Sequence, residues 1–168
     1  MSTENARALG YFTIQCFDKD GNLKWEDENH NLVVNQGLQY LAGSALTSTT
    51  QITSWYIGLY GAAASNSPAA GDTLASHAGW TEVTAYTGTR KLVSWTAATL
   101  ANPSVAASSA AVSFVMNATT TVGGAFLCSV TSGTSGTLFS AADFQSPGDR
   151  SVVSGDTINV SYSLSVSG

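Results

Sequence analysis

His30 and His77 are the side chains best suited to proton transfer or metal binding near neutral pH. They lie far apart in the chain, and neither belongs to an HxxxH or comparable ligand spacing. His30 sits among Glu28, Asn29 and Asn31, which reads as a solvated turn, and His77 falls in a long loop before Gly79 and Trp80. Serines are abundant, but no GxSxG elbow singles one out as a nucleophile. The stretch Asp18-Lys-Asp20-Gly-Asn22 alternates oxygen ligands as a calcium loop does at its start. Its twelfth position is Asn29, not the required bidentate Glu, and its glycine stands fourth rather than sixth. A hairpin turn is the better reading. Gly123 and Gly124 precede a strand pattern and not a helix, so they make no phosphate-binding loop. No catalytic residue, metal or cofactor is expected, and the chain reads as non-enzymatic.

The aromatic residues are the remaining candidates. Trp25, Trp55, Trp80 and Trp95, with Tyr11, Tyr56, Tyr60 and Tyr86, could stack against sugars if several shared one exposed face. Trp55 and Trp95 lie within strand patterns and are expected in the core. Trp80 adjoins a loop, where an exposed anchor is expected, since Trp and Tyr are enriched at protein interfaces. Trp25, Trp80, Tyr86 and Arg90 are therefore the candidate partner-facing residues.

The elements that must position these residues read as strands. Tyr11–Phe17 alternates and is rich in β-formers, and Asp20-Gly21 centres a hairpin turn before Leu23–Trp25. After Asn31–Val34, Asn35 is a plausible N-cap for a short helix near residues 35–46, with Leu38, Leu41, Ala42, Ala45 and Leu46 on one face. Gly37 and Gly43 weaken that helix. Trp55–Tyr60 is a continuous apolar run, as in a strand buried on both faces. Residues 61–79 form a long Ala/Ser/Gly/Pro/Asn loop, of a length that is usually functional or held by a partner. Further strands are expected at Thr81–Tyr86, Lys91–Thr96, Ala111–Met116, Ala125–Val130 and Thr137–Ser140. From Ile158 to Val166 apolar residues alternate strictly with Asn and Ser. Gly71-Asp-Thr73 and Gly155-Asp-Thr157 echo each other as turns leading into strands. The sum is an all-β, antiparallel β-sandwich, jelly-roll-like, with one short helix. Residues 1–168 are expected to form one domain, with an acidic N-terminal hairpin segment and the long loop at 61–79.

Charge is sparse and uneven. Lys and Arg number 6 and Asp and Glu 11, about a tenth of the chain, against roughly a quarter in ordinary soluble domains. Six of the acids crowd the first thirty residues, and no charged side chain occurs from Leu92 to Ala142. An acidic chain with scattered bases lacks the footprint of a nucleic-acid binder. No apolar run approaches the roughly 20 residues of a membrane span, and the N-terminus shows no signal-peptide pattern, so synthesis in the cytoplasm is expected. Cys16 and Cys128, inside apolar stretches, are expected to be buried and reduced.

One set of motifs goes further. A hairpin around Asp-Gly is followed by Asn31-Leu-Val-Val-Asn-Gln-Gly-Leu38, a short helix and Trp55-Tyr-Ile-Gly-Leu-Tyr60. Then come a Pro/Gly loop ending Asp72-Thr-Leu74, Trp80-Thr-Glu82, Tyr86 and Arg90. Over roughly residues 15–95 this resembles small structural proteins encoded among the head and tail genes of tailed bacteriophages. The resemblance implies a virion protein made in the host cytoplasm and free of enzymatic activity. Its implied partners are the major capsid protein, other virion proteins and further copies of itself as a homo-oligomer. Capsid decoration (a cement protein) is the leading expectation. A tail, collar or head-fibre component is the alternative, and a carbohydrate-binding or adhesin module ranks third. Residues 61–80 and the N-terminal segment are expected to face the partner.

Overall fold

The computed structural model describes residues 6–61, 67–101, 104–145 and 148–168. The chain begins with β1 (Arg7–Phe17), β2 (Leu23–His30), β3 (Leu32–Val33) and the helix α1 (Asn35–Leu46). Strands β4 (Tyr56–Gly61), β5 (Thr81–Val83), β6 (Lys91–Leu92), β7 (Thr99–Ala101) and β8 (Ser104–Ser108) follow. The remainder comprises β9 (Val112–Val115), β10 (Thr120–Val122), β11 (Gly124–Cys128), β12 (Leu138–Asp143), β13 (Arg150–Val152) and β14 (Thr157–Ser167). All pairings between these strands are antiparallel. The first sheet has the order β2-β1-β14-β8-β7, with β9 also on β14, and the second β3-β12-β11-β4-β5, with β6 also on β4. Strands β10 and β13 form a separate ribbon.

The molecule is thus an antiparallel, all-β sandwich with one helix among the described residues, as the turn and strand signals lead one to expect. Phe12, Ile14 and Cys16 of β1, with Ile158, Val160 and Tyr162 of β14, face Ile57, Leu59, Ala125, Leu127 and Phe139 of the second sheet. Each such large side chain contributes roughly 1.5–3 kcal/mol by leaving water. The outer positions of β14 are Asn159, Ser161, Ser163 and Ser165, so its alternation divides core from surface. Strands β7, β8, β10 and β13 are additions to the expected set. β2 is longer than its apolar start suggests, because it continues through Glu26, Asp27 and Glu28. Among the described residues no helix is long and apolar enough to cross a membrane.

The helix corrects the expectation at both its start and its face. Asn35 is its first residue and Val34 its N-cap, without a side-chain capping bond; the Asn35 N–H donates instead to the Ala70 carbonyl at 2.8 Å. The two glycines, which cost helix propensity, make its contact surface. A Cβ on Gly37 would lie 2.2 Å from the Phe139 carbonyl oxygen of β12, and one on Gly43 would lie 2.6 Å from Thr49 Oγ1. The helix is seated through Gly37, Tyr40 and the half-buried Leu41, which turns Leu38, Ala42, Ala45 and Leu46 outward.

Candidate interaction surfaces

β4 and β11 are buried on both faces, so the second sheet needs a cover on its outer side. There Tyr60 stands opposite Gly124 and Phe126 opposite Gly58. Any Cβ on those glycines would overlap the facing ring, so the aromatic rings lie across the bare backbone of the neighbouring strand. The described part of the long loop, residues 67–79, supplies the cover together with Trp80. Leu74 and Trp80 join Tyr60, Phe126, Cys128, Leu138 and Ala141 in a second apolar cluster. Trp80 is 4% exposed, its ring 4.8 Å from Tyr60 and 5.3 Å from Phe126. Its Nε1 donates to Asp72 Oδ2 at 3.3 Å, and His77 stacks on its free face at 3.6 Å. Trp80 is thus an internal anchor rather than a partner-facing one, because the apolar sheet beneath it claims the ring. Residues 62–66 of the loop, and Met1–Asn5 of the N-terminal segment, lie outside the described residues.

Tyr86 and Arg90 are also interior. Tyr86 packs edge-on to Phe114 at 4.8 Å. Arg90 makes a two-pronged bond to Glu82, Nε to Oε1 at 2.8 Å and Nη2 to Oε2 at 2.7 Å. Its guanidinium lies over the Phe126 ring at 5.2 Å, and Nη1 donates to the Val130 carbonyl at 3.2 Å. Every side of this cation is used within the chain. Trp25 is half-buried, with Phe144 edge-on at 5.7 Å and the Arg150 guanidinium 5.4 Å from its ring centre. Arg150 in turn holds Asp27 at 2.9 Å. The four candidates are not brought together on one exposed face: Trp80 and Arg90 pack against the same buried Phe126 ring, while Tyr86 and Trp25 brace the fold against Phe114 and Phe144.

The residues suited to chemistry are equally dispersed. His30 is exposed at the end of β2, opposite Tyr11. Asp18 Oδ1 accepts from the backbone N–H groups of Asp20 and Asn22, each at 2.9 Å, and Gly21 adopts φ 83°. The Asn22 side-chain amide donates to the same carboxylate and, with these backbone bonds, holds its pKa below the ordinary value. That carboxylate is engaged in closing the turn. Cys16 lies in the central core and Cys128 in the outer cluster, both as free thiols.

Three exposed features carry no charge. The first is the outward stripe of α1, where Leu38 and the 85%-exposed Leu46 flank Ala42 and Ala45. The apolar spacing of this stripe was visible in the sequence; what placed it outward was the pair of glycines opposite. The second is a strip on the outer face of the first sheet, bounded by Glu26 and Glu28 of β2, where register aligns Gln15, Asn159 and Ser113, and then Tyr11, Ser163 and Ser108. The third is a cavity of about 370 Å³ at the open end between the sheets, lined by residues including Tyr40, Ile52, Trp55, Trp95, Phe139 and Tyr162. Trp95, expected in the core, is 37% exposed in the wall of this cavity because the second sheet stops short of it. Comparison of the chain with protein-family models, with curated proteins and with solved structures gives no match.

Proposed function

We propose that the chain is a non-enzymatic structural protein of a tailed-bacteriophage particle, with capsid decoration as its leading role. The observation that carries the assembly reading is the uncharged helix α1 with its apolar stripe turned to solvent. A monomer gains nothing from Leu38 and Leu46 in water, whereas a protein partner covering them recovers their burial. The Ser/Thr/Asn/Gln strip along β1, β14, β8 and β9, next to the acids of β2, supports the same reading, since small neutral side chains pack closely at little desolvation cost. The placement on a phage particle rests on the resemblance over residues 15–95, and jelly-roll connectivity within the sandwich class on the strand and turn pattern of the sequence.

Co-sedimentation with empty capsids of the encoding phage tests this reading. Saturable binding at a fixed copy number per capsid subunit, with a rise in capsid heat resistance, is the expected result. The double substitution Leu38→Gln and Leu46→Gln should weaken that binding without lowering the melting temperature. An absence of binding, with an elongated trimer in solution, would move the protein to the tail or a fibre.

A further inference from the structure

The inner face of the first sheet runs past the end of the second. Along β14, Ile158, Val160 and Tyr162 are buried, Leu164 is half-covered and Val166 is 41% exposed. Register carries this outermost row across four strands, from Ala8 to Val166, Val166 to Val105 and Val105 to Leu100. The next row inward is Gly10, Leu164 and Ala107. Below it opens the cavity walled by Ile52, Trp55 and Trp95. Leu100, at the free edge, is 90% exposed. An apolar ledge, a socket and a protruding knob therefore share one end of the molecule.

The alternation that makes Phe12 and Ile14 core residues continues into this ledge without a facing sheet. The missing layer has the chemistry of the ledge itself, because stacked sheets cover each other through apolar inner faces about 10 Å apart. Charge points to the same occupant. Asp18, Lys19, Asp20 and Lys24 gather at the far end of the β1–β2 hairpin, about 30 Å away by strand rise. That is several Debye lengths at physiological salt. Arg7 is the charge described at the near end of β1, on the outer face, and the acids of β2 begin at Glu28, opposite Thr13. A chain of net charge −5 meets its own copy with least repulsion through a patch far from its acids, as this end is among the described residues.

We infer that this end is a self-association face, on which two copies related by a two-fold axis close ledge over ledge, each Leu100 entering the other's socket. The inference stands whether or not the protein belongs to a phage. Four strands about 4.8 Å apart and two rows of about 6.8 Å give a ledge of roughly 260 Å² per copy. Even with the sockets filled, that is below the roughly 1,200 Å² of stable interfaces, so the pair is weak and reversible.

Sedimentation velocity of the full chain from about 10 µM to 1 mM, a range suited to such a small interface, tests the inference. The expected result is a reversible monomer–dimer equilibrium, weakened at least about tenfold by Leu100→Asp with no change in thermal unfolding. Val105→Cys, near the centre of the row, should form a disulfide-linked dimer on oxidation. A monomer at every concentration, or a dimer that survives Leu100→Asp and yields no cross-link, would overturn it. Capsid binding is read separately, so failure of the dimer leaves the assembly reading to its own test.

Discussion

Asp72 stands between Gly71 and Thr73, and Asp156 between Gly155 and Thr157. Both are buried, and both make the same reciprocal turn. The Asp72 N–H donates to the Ala69 carbonyl at 3.0 Å while its Oδ2 accepts from the Ala69 N–H at 3.0 Å. Asp156 repeats this with Val153, at 3.1 and 2.9 Å, and its carboxylate also pairs with Lys24. The repeated tripeptide was visible in the sequence; the burial of its carboxylates was not, since their partners lie outside it. Asp72→Ala would orphan the Ala69 N–H and the Trp80 indole N–H, so a loss of about 1–3 kcal/mol is expected in urea unfolding. Asp18→Ala, in a turn at the surface where water can reach the freed N–H groups, should cost less in the same measurement. The thiols give a second expectation. Burial, with Asp156 adding to it, pushes Cys16 up from 9.0 to about 11, and burial raises Cys128 as well. The folded state thus holds these protons more tightly than the unfolded chain. The associated stability is complete below the ordinary thiol range and is lost at higher pH, for Cys16 as pH rises through about 11. At pH 8, a thiol reagent should leave the native protein unmodified and label both cysteines in denaturant.

At the scale of elements, helix α1 shows how a propensity argument can be right about cost and silent about purpose. Gly37 disfavours helix, yet it lets the backbone press onto β12. Gly37→Ala should raise propensity and still destabilise by about 1–3 kcal/mol through overpacking, as measured by the thermal midpoint. If Gly37→Ala stabilised the protein instead, the close approach to Phe139 would be refuted. Strands β1, β4 and β14 were legible because their apolar residues alternate or run together. Strands β7 and β8 were not, since Thr, Ala and Ser offer little contrast between faces. β2 hid behind its acids: Asp27 points inward and is tolerated there because Arg150, more than a hundred residues later, pairs with it.

The whole molecule was legible as a sandwich but not in its assignment of surfaces. Nothing local to Trp80, Tyr86 or Arg90 announces Tyr60, Phe114 or Glu82 as neighbours. A clue was available: a strand apolar on both faces, as β4 is, demands a second layer, and the segment after it carries Leu74 and Trp80. The strand order carries another consequence. The most extensive pairing in the molecule joins β1 to β14, from Phe17 opposite Thr157 to Arg7 opposite Ser167. A ribosome adding about 5–20 residues per second needs roughly 7–28 s to make the intervening chain of about 140 residues. Through that interval Phe12, Ile14 and Cys16 wait without the strand that will occupy their other edge, which makes the nascent chain, rather than the finished protein, the state most exposed to misassociation.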